Sequence, residues 1–209
     1  MNTKGKLKAF FDSEQENALY IEKYEENRDF FDDLIMNGHK EDIEFALGIK
    51  LHNYAGPLNQ TGNYKKALAV IAEIEKDLEK LKGQTKWYFK YLELATLIKG
   101  VCLGRLKKYK DSNIEFEKLL LKYPTNDKYI EWYKSNKKSR ISNLMDKIII
   151  IGATIYLIII IIDIFGYTVS NIIIRNFSLA IVLLSYAISY VWKKMIDKQT
   201  IKIEKITAT

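Results

Sequence analysis

The chain has 209 residues, 33 Lys and Arg against 26 Asp and Glu for a net charge of +7, and one cysteine. A single cysteine excludes an internal disulfide framework and suits a reducing compartment. A 48% hydrophobic share with two prolines and ten glycines excludes a disordered or collagen-like chain.

At the start, Met1-Asn-Thr-Lys-Gly-Lys-Leu-Lys is basic, but Ala-Phe-Phe-Asp-Ser-Glu-Gln-Glu follows and supplies no apolar core for a secretory signal. Apolar residues then recur at helical spacing, for example Ala67, Ile71, Ile74 and Leu78, then Ile114, Phe116, Leu119, Leu120 and Tyr123. Turn signals predict helices over about 8–37, ending at Asn37-Gly38, over 40–60, ending near Gln60-Thr-Gly62-Asn63, and over 63–82, ending at Gly83. Further helices are expected over 85–106, over 109–122 before Pro124, and over 126–139. Short connections between long helices imply antiparallel neighbours. The stretch from Phe11 to Phe45 carries 12 acidic residues against Lys23, Arg28 and Lys40. It reads as a solvated helix face, or as an acidic surface for a basic partner or for the chain's own basic juxtamembrane strip.

Two of these helix pairs repeat a pattern. Gly62-Asn63-Tyr64-Lys65-Lys66-Ala67, followed by Ile71, places an aromatic in a turn and a small residue three positions later. The later copy runs Gly100, Leu103, Tyr109, Ser112, Phe116 and Pro124: small, large apolar, turn aromatic, small, aromatic and terminating proline. Over residues 48 to 125 the chain therefore resembles a tetratricopeptide-type solenoid. It departs from that family where Gly56-Pro57 interrupts a helix, and where Tyr64 and Tyr109 stand 45 residues apart instead of the family's repeat of about 34. The resemblance implies a groove lined by the first helix of each pair and holding a peptide or helix of a protein partner. By position, His52, Asn59, Gln60 and Arg105 would face it.

The last third changes character. From Ile148 to Ile162 no residue is charged, and Asn171 to Trp192 is apolar apart from Arg175 and a few hydroxyls and amides. Each segment is long enough as a helix to cross about 30 Å of hydrocarbon, and the run Ile158 to Ile162 leaves no polar face. Spans at about 147–166 and 171–192, joined by a turn too short to recross a bilayer, make a transmembrane hairpin with both ends on one side. Residues 1 to 133 hold 22 basic and 22 acidic residues, whereas residues 134 to 147 hold five against one and the stretch from Lys193 onward five against two. All of the positive excess flanks the membrane ends, which places both termini in the cytoplasm and the turn at Gly166 outside. The basic balance is thus a topology signal, with some attraction for anionic lipid, rather than a nucleic-acid footprint. Asp163 and Arg175 fall near the outer ends of the two spans, where antiparallel geometry allows them to pair at similar depth. Ser185, Ser189, Tyr186 and Tyr190 are candidate helix contacts, and Tyr190 with Trp192 suits an aromatic belt at the inner surface.

Chemistry-bearing patterns are sparse. His39 and His52 have no metal-ligand spacing around them, no glycine-rich phosphate loop occurs, and Cys102 lies in an apolar helical stretch that favours a buried thiol over a nucleophile. No catalytic, cofactor or metal site is expected. The expected fold is all-α, an antiparallel helical-hairpin solenoid at 1–140, a transmembrane hairpin at 141–196 and a short basic tail at 197–209. The expected function is a membrane adaptor that binds a protein partner at the cytoplasmic face, with oligomerisation through the hairpin open. The alternative is a membrane-perturbing effector, or an immunity or accessory subunit, of a bacterial defence or toxin system.

Overall fold

A computed structural model describes residues 3–83, 87–164 and 171–207, which are helical almost throughout and include no strand. The chain divides into two compact units, Met1–Lys122 and Tyr123–Thr209.

The first unit opens with three short helices where a single helix over 8–37 is expected: α1 (Thr3–Asp12), α2 (Asn17–Glu26) and α3 (Arg28–Asn37). Polar side chains that compete for backbone groups cause both breaks. After α1, Ser13 Oγ donates to Phe10 O at 2.6 Å, and Tyr20 Oη donates to Ser13 O at 2.6 Å. The reversal brings Phe11 over the ring of Tyr20, with centroids 6.1 Å apart. After α2, Asn27 Nδ2 donates to Lys23 O at 2.9 Å.

The next helix spans the interval expected for it but is not uniform. It runs as α4 (Lys40–Ile49), a π-helical stretch (Lys50–Ala55) and α5 (Gly56–Gln60). Pro57 explains the wide turn. A proline in a continuous α-helix collides with the carbonyl four residues back and cannot donate to it. Widening the preceding turn relieves this, and the Gly56 N–H bonds to Leu51 O, five residues back. Gly56-Pro57 therefore widens the helix rather than ending it.

Beyond it come α6 (Tyr64–Leu78), which closes in a 3-10 turn at Glu79–Leu81, then α7 (Trp87–Arg105) and α8 (Tyr109–Lys122). Gly62 and Gly83 hold positive φ of 83° and 71° in the flanking turns, a conformation that costs glycine little. Pairings fix the helix directions. Tyr88 meets Glu79 and Lys99 meets Glu75, so α6 and α7 are antiparallel. Ser112 Oγ donates to Gly100 O at 2.6 Å and Lys122 lies over Phe89, so α7 and α8 are antiparallel as well. The helix from α4 to α5 follows α7 in the same sense, since Tyr91 reaches Glu44 O while Cys102 reaches Asn59.

The core of this unit combines an aromatic stack with aliphatic side chains in one cluster. Tyr54, Tyr24 and Phe31 stack in series with centroids 4.2 and 5.1 Å apart, edged by Phe11 and Phe45. Leu58, Ile71, Ile74, Leu78 and Leu81 continue the core as fully buried residues.

In the second unit the helix expected at 126–139 and the first span are one element, α9 (Asp127–Ile164). No proline or turn signal separates them. It packs against α10 (Asn171–Thr207). The pair is antiparallel, because Lys138 bonds Asp197 at 2.6 Å and Lys193 reaches Ser142 at 3.4 Å. Both helices are long and apolar enough to cross a membrane, with windows of mean hydropathy 2.4 and 1.4. Only 11% and 17% of those windows is buried, whereas a core helix of a soluble protein is mostly covered.

Candidate functional site

The residues expected to line a groove fall at two places, three of them together and His52 apart. His52 projects from the π-helical stretch, exposed, with its ring edge-on to Tyr91 at 6.1 Å. Asn59 is half-buried on α5, where its Oδ1 accepts from the Cys102 thiol at 3.4 Å. Gln60 and Arg105 are exposed, Arg105 one turn beyond Cys102 on α7. Tyr91 and Cys102 are eleven residues apart on α7, about 16 Å along the axis. His52 thus stands near one end of a seam and Asn59, Gln60 and Arg105 near the other.

Cys102 is fully buried, and burial pushes its thiol up to about 11. At neutral pH it is protonated and inaccessible, with neither property of a nucleophile.

The most unusual polar feature of this unit escapes a reading of periodicity. Lys50 is buried at the start of the π-helical stretch, with its Nζ 2.8 Å from Glu73 on α6 and 3.8 Å from Asp32 on α3. Arg28 completes the group, 3.6 Å from Asp32 and 3.7 Å from Glu73. Beside it, the fully buried Tyr24 hydroxyl makes no hydrogen bond among the described residues. Burial, and next the charge on Asp32, push its ionisation above the ordinary tyrosine value. The four charges cross-link three helices. The only sequence signal was a lysine flanked by Ile49 and Leu51, both core residues.

The acidic stretch is partly consumed by such pairs. Glu25 bonds Lys66 and Tyr54, Glu26 bonds Lys23, and Asp42 bonds Lys4. That pairing lowers its value as a surface for a basic partner.

On the hairpin, Asp163 and Arg175 belong to α9 and α10, but their side chains lie outside the described residues, as do residues 165–170, where the turn is expected. The helix seam is described. Gly152 and Ile159 on α9, and Ser185, Ser189 and Ile196 on α10, are buried. Small residues at a seam let two backbones approach closely. The two serines are contacts as expected, but Tyr186 and Tyr190 are not, being 62% and 69% exposed on the outward face. The reason is angular: Ser185 and Ser189 are one turn apart on one face, and the residue after each is rotated by about 100°. Ser185 and Thr154 satisfy their hydroxyls on their own helices, at Ile181 O and Ile150 O.

Among the described residues no group of three His, Cys, Asp or Glu is placed to hold a metal ion. No protein-family model, curated protein or solved structure matches this chain.

Proposed function

We propose that the chain is a membrane-anchored adaptor. Its first unit is a tetratricopeptide-like helical domain that binds a protein partner, and the α9–α10 hairpin holds that partner at the cytoplasmic face of the cell membrane. One observation carries the anchor: around the buried seam the hairpin exposes Ile150, Ile151, Leu157, Ile158, Phe177, Leu183 and Leu184, each at least half exposed. In water such a surface would aggregate; in hydrocarbon it is solvated.

The repeat reading rests on the α7–α8 pair. Gly100, Ser112 and Phe116, chosen by the family's spacing, meet at one helix approach: a Cβ at Gly100 would lie 3.0 Å from the Phe116 ring. Tyr109, the turn aromatic, is half-buried rather than enclosed, so Phe116 fills the gap between the helices. Partner binding rests on apolar side chains left outside. Ile114 and Leu121 lie two turns apart on α8, 45% and 87% exposed, and Phe89 on α7 is 60% exposed. The exposed hairpin faces also leave surface for self-association.

The test exchanges the hairpin. Replacing residues 148 to 192 with an unrelated hairpin of equal length and flanking charge is expected to preserve membrane location and photocrosslinking of one partner from position 121. Loss of activity with the swap, together with potassium release that depends on Asp163, points instead to a membrane-perturbing effector.

A further inference from the structure

Just below the uncharged part of α9 the two long helices leave a crevice of about 570 Å³, lined by Lys137, Arg140, Ile141, Leu144, Lys147 and Trp192, with Asn143 and Ile196 completing the wall. Its chemistry is two-sided. Lys137, Arg140, Leu144 and Lys147 recur at intervals of three and four, so they share one face of α9, with Ile141 beside them. Trp192 and Ile196, one turn apart, supply the facing wall from α10. Three cations and no carboxylate line the space. Asp197, the nearest acid on α10 to the lining residue Ile196, is engaged by Lys138 at 2.6 Å. Ile196 is buried, whereas Leu144 and Trp192 are more than half exposed.

We propose that this crevice is a binding site for an anionic phospholipid. Its phosphate sits between Arg140 and Lys147, with Lys137, whose ammonium lies over the Tyr133 ring at 4.3 Å, at the mouth of the crevice farther from the span, and its glycerol and first methylenes lie against Ile141, Leu144 and Trp192. The inference rests on the membrane reading of the hairpin and goes beyond it: a polybasic strip attracts negative lipid diffusely, whereas a crevice holds one molecule. The position suits a lipid rather than a soluble anion. Lys147 directly precedes the uncharged stretch that begins at Ile148, so Lys147 and, two turns away, Arg140 stand at headgroup depth when the spans are inserted. Basic pockets between membrane helices on the cytoplasmic side are suited to such headgroups. Arg140 offers a planar fork for phosphate oxygens, and the two lysines add mobile point charges.

The test uses the full chain with Trp87→Phe and Trp132→Phe, so that Trp192 reports alone. The chain is reconstituted in phosphatidylcholine vesicles containing phosphatidylglycerol, with bromine on the acyl chains of one lipid at a time. Brominated phosphatidylglycerol is expected to quench Trp192 at a several-fold lower mole fraction than brominated phosphatidylcholine. Lys137→Gln with Arg140→Gln and Lys147→Gln is expected to abolish that several-fold preference. The tail variant Lys198→Gln, Lys202→Gln and Lys205→Gln, which loses the same charge, is expected to keep it. Leu144→Glu, which leaves every cation in place and puts a carboxylate in the crevice, also removes it. Equal loss in the crevice and tail variants, or no preference in the parent, overturns the site. Displacement by millimolar inorganic phosphate overturns the lipid as occupant. Release of the chain from vesicles by alkaline carbonate defeats the membrane reading itself, and is seen before any quenching is measured.

Discussion

At the scale of single residues, burial decides which side chains matter, and it reorders the candidates. Phe116 is wholly buried and Tyr109 half-buried, so Phe116→Ala is expected to cost about 3–5 kcal/mol and Tyr109→Ala clearly less. Hydrogen exchange of first-unit peptides in the detergent-solubilised chain measures both. The Lys50 network makes an asymmetric prediction. Glu73→Ala leaves Lys50 buried with only the more distant Asp32, an expected loss of about 1–3 kcal/mol. Lys50→Met removes the buried charge itself and is expected to stay within about 1 kcal/mol of the parent; a larger loss on the Lys50 side would make the network a net stabiliser. Tyr24 carries a pH dependence. Its folded-state ionisation is raised by burial, so its contribution is intact below the ordinary tyrosine value of 10.0 and is lost as pH rises beyond it. Tyr24→Phe also deletes an unpartnered buried hydroxyl. It is expected to raise stability by about 1 kcal/mol at neutral pH and to flatten the alkaline fall in a pH series of melting curves.

At the scale of elements, close approach and local bonding set the boundaries. The α7–α8 pair depends on a missing side chain: at Gly100 a Cβ meets three atoms of the Phe116 ring between 3.0 and 3.3 Å. Gly100→Val is therefore expected to destabilise the first unit by about 1–3 kcal/mol despite removing a helical glycine, read by the same exchange measurement. Gly100 and Phe116 were legible in the sequence because spacing encodes the approach of paired helices. The breaks at Ser13 and Asn27 were not, because a side-chain hydrogen bond to the backbone looks the same in sequence whether it ends a helix or decorates one. The π-helical stretch was half legible. Gly56-Pro57 announced a disturbance, but whether a proline breaks, kinks or widens a helix depends on what packs around it, and here Tyr54 and Leu58 are locked in the core on either side.

At the scale of the whole molecule, charge and hydropathy act over distances that need no tertiary detail. With all excess positive charge beside the two apolar spans, a cysteine at Thr168 is expected to react with an impermeant thiol reagent in intact cells and one at Thr207 is not. The native Cys102 is buried and its thiol pushed up to about 11, so it leaves the background silent. Labelling of both sites, or of neither, would sink the hairpin orientation. Helical class and the two apolar segments followed from the sequence alone, because periodicity and hydrocarbon thickness are local or one-dimensional constraints. Tertiary structure alone decided that Lys50 is buried between partners from two other helices, that Ser185 and Ser189 face the seam while Tyr186 faces outward, that His52 and Arg105 lie apart, and that three cations on α9 line a crevice with Trp192. Each of these depends on which helix faces meet, a choice made by packing between residues distant in the chain, which no single stretch of sequence contains.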